Sequence, residues 1–129
     1  GLANISLGLE DCLYMGNINV LRDWGHAKDY VRMQWMMLQQ ETPSDYVIST
    51  GVSHSVQNLV ETAFAHVGLD WHDFVRTDPA LLRPAEVEHL IGDSSKAAEE
   101  LNWNPSIGFS GLVQMMVDAD LERLNVAAD

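Results

Sequence analysis

Two arginines stand out in a chain with only 7 lysines and arginines. Arg22 sits in the stretch Arg22-Asp23-Trp24-Gly25-His26-Ala27-Lys28-Asp29-Tyr30-Val31, and Arg83 opens Arg83-Pro84-Ala85-Glu86-Val87. A guanidinium is a planar fork that makes two parallel charge-assisted bonds, so a singly placed arginine suits a phosphate or a carboxylate. Pro84 fixes its own backbone and biases Arg83 away from helix, which presents that side chain from an extended loop. Glu86 adds a carboxylate, the group that accepts bonds from ribose hydroxyls in dinucleotide sites. Two forks for a diphosphate and one acceptor for a ribose make a sugar-nucleotide grip. A plainer reading uses the same residues: Arg22 pairs with Asp23 or Asp29 on the surface, and Arg83 pairs with Glu86.

The other catalytic patterns fail on spacing. No Gly-x-Gly pair occurs, so there is neither a dinucleotide fingerprint nor a Walker loop. Residues Ile18, Gln34 and Thr50, four places after each tyrosine, are not lysines. His26, His54, His66, His72 and His89 are scattered, and with one cysteine they lack zinc spacing. Ser49-Thr50-Gly51 holds a lone glycine before a helix, which reads as capping rather than a phosphate cradle.

These residues need elements to position them. Leu2, Ile5 and Leu9 suit the end of a helix, with Gly16 as its clearer breaker and Gly8 as an alternative. Leu13–Met15 reads as a strand leading through a polar turn to Arg22. Strand, polar turn, helix is how α/β proteins build ligand sites. His26 to Gln40 reads as a helix with a broad apolar stripe of Ala27, Tyr30, Val31, Met33, Trp35, Met37 and Leu38, facing a core. Tyr46–Thr50 reads as a parallel strand buried on both faces. Ser55 then caps a helix through Val67, stopped by Gly68, and Asn58 stands where a capping-box glutamate would normally sit. A third strand is expected at 74–77. Asp93 caps a helix through Leu101, stopped by Asn104-Pro105, and Ser110 caps a last one. The alternation predicts one α/β unit over residues 1–129.

The totals bound the function. The chain has 129 residues and a net charge of −12. That excess of acid excludes nucleic acid and anionic membrane surfaces as natural partners. Cys12 is the single cysteine, which rules out an internal disulfide and fits a reducing, cytoplasmic setting. No apolar run approaches the ~18 residues of a membrane span. The chain starts without methionine, and Gly1–Ile5 reads as the middle of an apolar segment, so a fragment is expected.

The sequence resembles the C-terminal part of the GDP-mannose 4,6-dehydratase family, within the extended short-chain dehydrogenase/reductase superfamily. The resemblance rests on residues 7–17 and on Arg22-Asp23-Trp24-Gly25-His26-Ala27-Lys28-Asp29-Tyr30-Val31. It continues through Val47-Ile48-Ser49-Thr50-Gly51, Arg83-Pro84-Ala85-Glu86-Val87, Gly92-Asp93-Ser94-Ser95-Lys96-Ala97 and residues 115–120. The Arg-Asp-Trp-Gly-His-Ala-Lys-Asp segment is specific; Arg-Pro-x-Glu is shared by the wider superfamily.

The resemblance implies the substrate-binding part of an extended dehydrogenase/reductase fold. It implies a lyase that uses NADP to oxidise C4 of the mannose of GDP-mannose. A glutamate removes the C5 proton, water leaves from C6, and the hydride returns to C6. The product, GDP-4-keto-6-deoxymannose, is the precursor of GDP-fucose and GDP-rhamnose. Arg22 and Arg83 are implied to contact the diphosphate, Glu86 the ribose, and Trp24 to line the nucleotide site. The family's glycine fingerprint, Tyr-x-x-x-Lys pair, threonine and catalytic glutamate lie in an N-terminal half that is absent here. NADP is therefore expected on that half, no catalytic residue is carried over, and a homo-oligomer is expected at full length. Between Gly68 and Asp78 the chain is shorter than many relatives. Two further functions stay open: a stand-alone GDP-sugar-binding module, and an oligomerisation module without catalysis.

Overall fold

The first helix, α1 (Leu2–Ser6), turns Ala3 and Ile5 into the core and ends before Gly8, not Gly16. Gly8 has φ +70, and Gly68, just past the helix over Val56–His66, has φ +75; both are left-handed positions that favour glycine. The chain is described as a computed structural model, covering the backbone of residues 1–128 and the side chains of residues 1–124.

Two short ladders carry the rest. Strand β1 (Leu13–Met15) pairs in parallel with β4 (Val75–Thr77), Leu13 opposite Val75. Strand β2 (Leu21–Asp23) pairs antiparallel with β3 (Ser53–Ser55), Arg22 opposite His54. Arg22 is therefore held in a strand, where the sequence reads as a polar turn. Its neighbours alternate weakly and the strand is three residues long, too short for periodicity to register.

Helix α2 (Ala27–Leu38) follows β2, and α3 (Val56–His66) runs directly out of β3. A one-turn helix α4 (Trp71–Phe74) precedes β4, and a single 3₁₀ turn spans Pro79–Leu81. Helices α5 (Ser95–Leu101) and α6 (Phe109–Ala128) complete the order. Helix α5 stops at Asn102, in the left-handed conformation at φ 51, ahead of Asn104-Pro105.

Apolar residues gather in three clusters. Ile5, Val60, Phe64 and Val75 join α1, α3 and β4, while Ala63, Val113 and Val117 join α3 to α6. Met33, Ala97, Leu101 and Trp103 join α2 to α5 and to the loop after it. Each fully buried side chain such as Phe64 contributes about 1.5–3 kcal/mol relative to exposure. The β2–β3 ladder ties these cores together, since β3 continues into α3 and β2 leads to α2.

Two expectations, one about the face of α2 and one about the strand at 46–50, are corrected. Met33 is buried and Tyr30, Met36 and Met37 pack beside it, but Val31, Trp35 and Leu38 of the same helix are exposed. These three repeat at steps of four and three, so α2 presents a second apolar face outward. Residues 46–50 form no ladder among the described residues. Tyr46 and Ile48 pack against the Met33 cluster; on the opposite face Ser49 is buried against Gly92 while Val47 is exposed, so the second face is covered in part and by loop rather than by a strand.

Candidate functional site

Arg22 and Glu86 meet across 64 positions of sequence. Arg22 Nη1 donates to the carbonyl of Leu21 at 2.8 Å, which fixes the plane of the guanidinium. Nη2 then reaches Glu86 Oε1 at 3.4 Å. Both side chains are half-buried. The contact is long and single, so each group keeps free donors or acceptors for a third party.

Backbone bonds bring Glu86 there. Leu21 N donates to Glu88 O at 2.7 Å, and Leu90 N donates to Leu21 O at 3.0 Å. Residue His89 thus bridges Leu21 in parallel fashion, on the side of β2 away from β3. The loop from 82 to 92 has no helix or strand of its own. It takes its order from β2, as Pro84 requires of an extended loop.

The plainer pairings are not formed. Asp23 is engaged by Thr50 N at 2.9 Å, Thr50 Oγ1 at 2.6 Å and Gly51 N at 2.9 Å. Asp29 is engaged by Ser106 and Ile107. Arg83 does not pair with Glu86; it is exposed and forms no ion pair among the described residues. The structure thus brings Arg22 and Glu86 together and leaves Arg83 free three residues along.

Trp24 sits elsewhere. Its Nε1 donates to His54 O at 3.3 Å, and its ring lines an apolar cleft with Val52, His54, Ile107 and Phe109. His54 is stacked on Phe109 at 3.9 Å. That cleft includes none of Arg22, Arg83 or Glu86. Sequence reasoning missed a polar groove beside the pair, lined by Asn17, Asn19, Leu21, Glu88 and His89. The only signal for it was Gly16-Asn17, which reads simply as a turn.

The family model described as GDP-mannose 4,6 dehydratase matches residues 1–116. The chain belongs to the GDP-mannose 4,6 dehydratase family. GDP-mannose 4,6 dehydratase 1 of Arabidopsis thaliana is 51% identical over 131 residues, covering 99% of this chain and 36% of that protein. The human GDP-mannose 4,6 dehydratase is 43% identical over 140 residues, covering 95% of this chain and 38% of that protein. The chain therefore spans between a third and two fifths of the length of these relatives. A solved structure of RMD from Pseudomonas aeruginosa, complexed with NADPH, superposes with a TM-score of 0.84 at 19% identity, covering 95% of this chain and 40% of that one. The fold is α/β, shared with the epimerases and dehydratases of the extended short-chain dehydrogenase/reductase superfamily.

The junction between β2 and α2 does not fit the pyrophosphate of a dinucleotide cofactor. Helix α2 follows an antiparallel strand, and the one glycine at that junction, Gly25, has the Tyr30 hydroxyl packed over its Cα. A pyrophosphate needs open backbone at a glycine turn beyond a parallel strand. No hydride step is therefore assigned to these residues. No helix among the described residues is long and apolar enough to cross a membrane.

Proposed function

We propose that this chain supplies the GDP-sugar grip of a GDP-mannose 4,6-dehydratase, a hydro-lyase that converts GDP-mannose to GDP-4-keto-6-deoxymannose. Arg22 and Arg83 bind the diphosphate and Glu86 accepts from the ribose. The observation that carries this reading is the half-buried contact of Arg22 on β2 with Glu86, with Arg83 exposed three residues before Glu86 and in no ion pair among the described residues. Both arginines offer spare donors in an acidic chain, so an anionic ligand is held by placed groups rather than by a general field. In this reading Trp24 lines the nucleotide end of the site, although its cleft includes none of the three grip residues.

NADP supplies the redox chemistry of the dehydratase and is held by polypeptide other than these residues. The residues here bind, orient and shield the nucleotide. The working enzyme is a cytoplasmic homo-oligomer; the exposed apolar face of α2 at Val31, Trp35 and Leu38 supports association, not location.

The test is GDP titrated into the intact protein by calorimetry, followed by GDP-mannose turnover with NADP. Binding together with turnover supports the dehydratase. Binding without turnover favours a GDP-sugar-binding module. Absence of both sinks the proposal.

A further inference from the structure

We propose that Ser53 and His89 form a positioning pair that holds the 82–91 loop, and with it Arg83 and Glu86, in register with Arg22 for a nucleoside diphosphate. The inference rests on the GDP-sugar reading above and deepens it. Ser53 Oγ and His89 Nε2 are 2.9 Å apart. Ser53 lies on β3 and His89 on the strip that bridges Leu21, so the bond crosses β2 from one flank to the other.

Among the described residues the 82–91 stretch has two side-chain bonds to the rest of the molecule. One is Arg22 to Glu86, and the other is Ser53 to His89. The first joins the two groups that the ligand itself engages. When a phosphate takes the Arg22 fork and a ribose takes the Glu86 carboxylate, that bond is given up to the ligand. The second bond touches no ligand group and persists. It stands three residues from Glu86, on the same strip as the Leu90 N to Leu21 O bond at 3.0 Å. Ser53 and His89 therefore act through Glu86 and Arg83 and are not catalytic residues.

The pairing is chemically sufficient without a charge. A neutral imidazole accepts from the serine hydroxyl at Nε2 or donates to it there, depending on tautomer. Glutamine at 89 extends its amide to about the same reach and preserves either role. Alanine removes both.

The test compares wild type, Ser53→Ala, His89→Ala, His89→Gln and the Ser53→Ala/His89→Ala double variant in the intact protein. GDP affinity is read by calorimetry and backbone exchange of residues 82–91 by hydrogen–deuterium mass spectrometry. Each alanine variant is expected to weaken GDP about two- to twelvefold, the range of one net hydrogen bond. Exchange in 82–91 should rise with it, while exchange in α3 and α6 stays at the wild-type rate. The double variant should be no worse than either single one, and His89→Gln should restore both readouts. Unchanged exchange in both alanine variants overturns the proposal. So does faster exchange with unchanged GDP affinity, or strict additivity in the double variant. Wild type that binds no GDP is a different failure: it overturns the GDP-sugar reading itself, and the positioning role with it.

Discussion

Asp29 in the first turn of α2 accepts a hydrogen bond from Ser106 Oγ at 2.7 Å, across 77 positions of sequence. The same carboxylate takes Ser106 N at 2.8 Å and Ile107 N at 3.3 Å. Arg32 stands 3.7 Å away on the next turn. Only 3% of Asp29 is exposed, so the carboxylate is buried and fully used. It is the peg that fixes the loop between α5 and α6. Asp29→Ala strips a carboxylate acceptor from three donors and is expected to cost about 3 kcal/mol, given about 1.5–3 for bonds to charged groups and the penalty of orphaned donors. Ser106→Ala should cost about 1 kcal/mol. Chemical denaturation of both variants and of the double variant checks this, with strong non-additivity expected because they share one network.

The same site sets an acid limit on stability. Burial pushes the Asp29 carboxyl up, but the bonds from Ser106 and Ile107 and the Arg32 charge outweigh it and hold it below the usual carboxylate range. A depressed folded pKa means stability that is present above the unfolded value of 3.8 and is lost as pH falls through the folded value. Melting midpoints taken from neutral pH downward should therefore fall below pH 4 in wild type. Asp29→Asn should show a lower midpoint at neutral pH and a shallower acid slope. An equal slope in both would assign the acid limit to other carboxylates.

Much of this was legible in the residues, and the gaps have physical causes. The helix from His26 and the Gly68 stop follow from period and from the φ that glycine allows. Asn58 fills the place of the capping-box glutamate: Ser55 Oγ accepts from Asn58 N at 3.0 Å and Asn58 Oδ1 accepts from Ser55 N at 3.2 Å, so the asparagine completes the box. The Arg22–Glu86 meeting was not legible, because nothing local says that loop 82–92 docks on β2 rather than pairing within itself. Trp103 was missed for a related reason. It follows a helix stop, where pattern predicts a loop, yet it is completely buried. Residues 46–50 have the composition of a paired strand but no partner strand among the described residues, and composition cannot report the partner.

Trp103 is the keystone of the α2–α5 cluster. Its Nε1 donates to Asp29 O at 3.0 Å, and its ring lies 6.5 Å from that of Tyr30. Trp103→Ala leaves a large void and an unpaired carbonyl, at a cost of about 3–5 kcal/mol. A domain of this size has about 5–15 kcal/mol in total, so the variant is expected to be partly unfolded at 37 °C. Trp103→Phe keeps most of the volume and loses the bond, so its midpoint should fall much less. Near-ultraviolet circular dichroism and denaturant midpoints separate the two.

The helix cap predicts a smaller effect. Ser55→Ala removes the oxygen that satisfies Asn58 N at the start of α3 and should cost about 1 kcal/mol. Ser55→Gly should cost only a few tenths, about 0.3 kcal/mol, because glycine is itself tolerated at that position. A Ser55→Ala midpoint equal to wild type would mean that the β2–β3 ladder alone fixes the helix start.

The grip itself makes a prediction that separates its parts. Arg22→Ala and Arg83→Ala remove phosphate forks, so each should weaken GDP about tenfold to a hundredfold, the range of a charge-assisted bond. Neither should change the affinity for guanosine, which has no phosphate. Glu86→Gln acts on the ribose and should weaken GDP and guanosine alike, while leaving the affinity for a 2′,3′-dideoxy analogue near wild type. Arg22→Lys should not rescue Arg22→Ala. Lysine is a point charge that cannot donate to the Leu21 carbonyl and to a phosphate from one rigid plane, as the Arg22 guanidinium is placed to do. Calorimetric titration of the three ligands across these variants decides it. Loss of guanosine affinity in the arginine variants would move Arg22 and Arg83 from the diphosphate to the nucleoside.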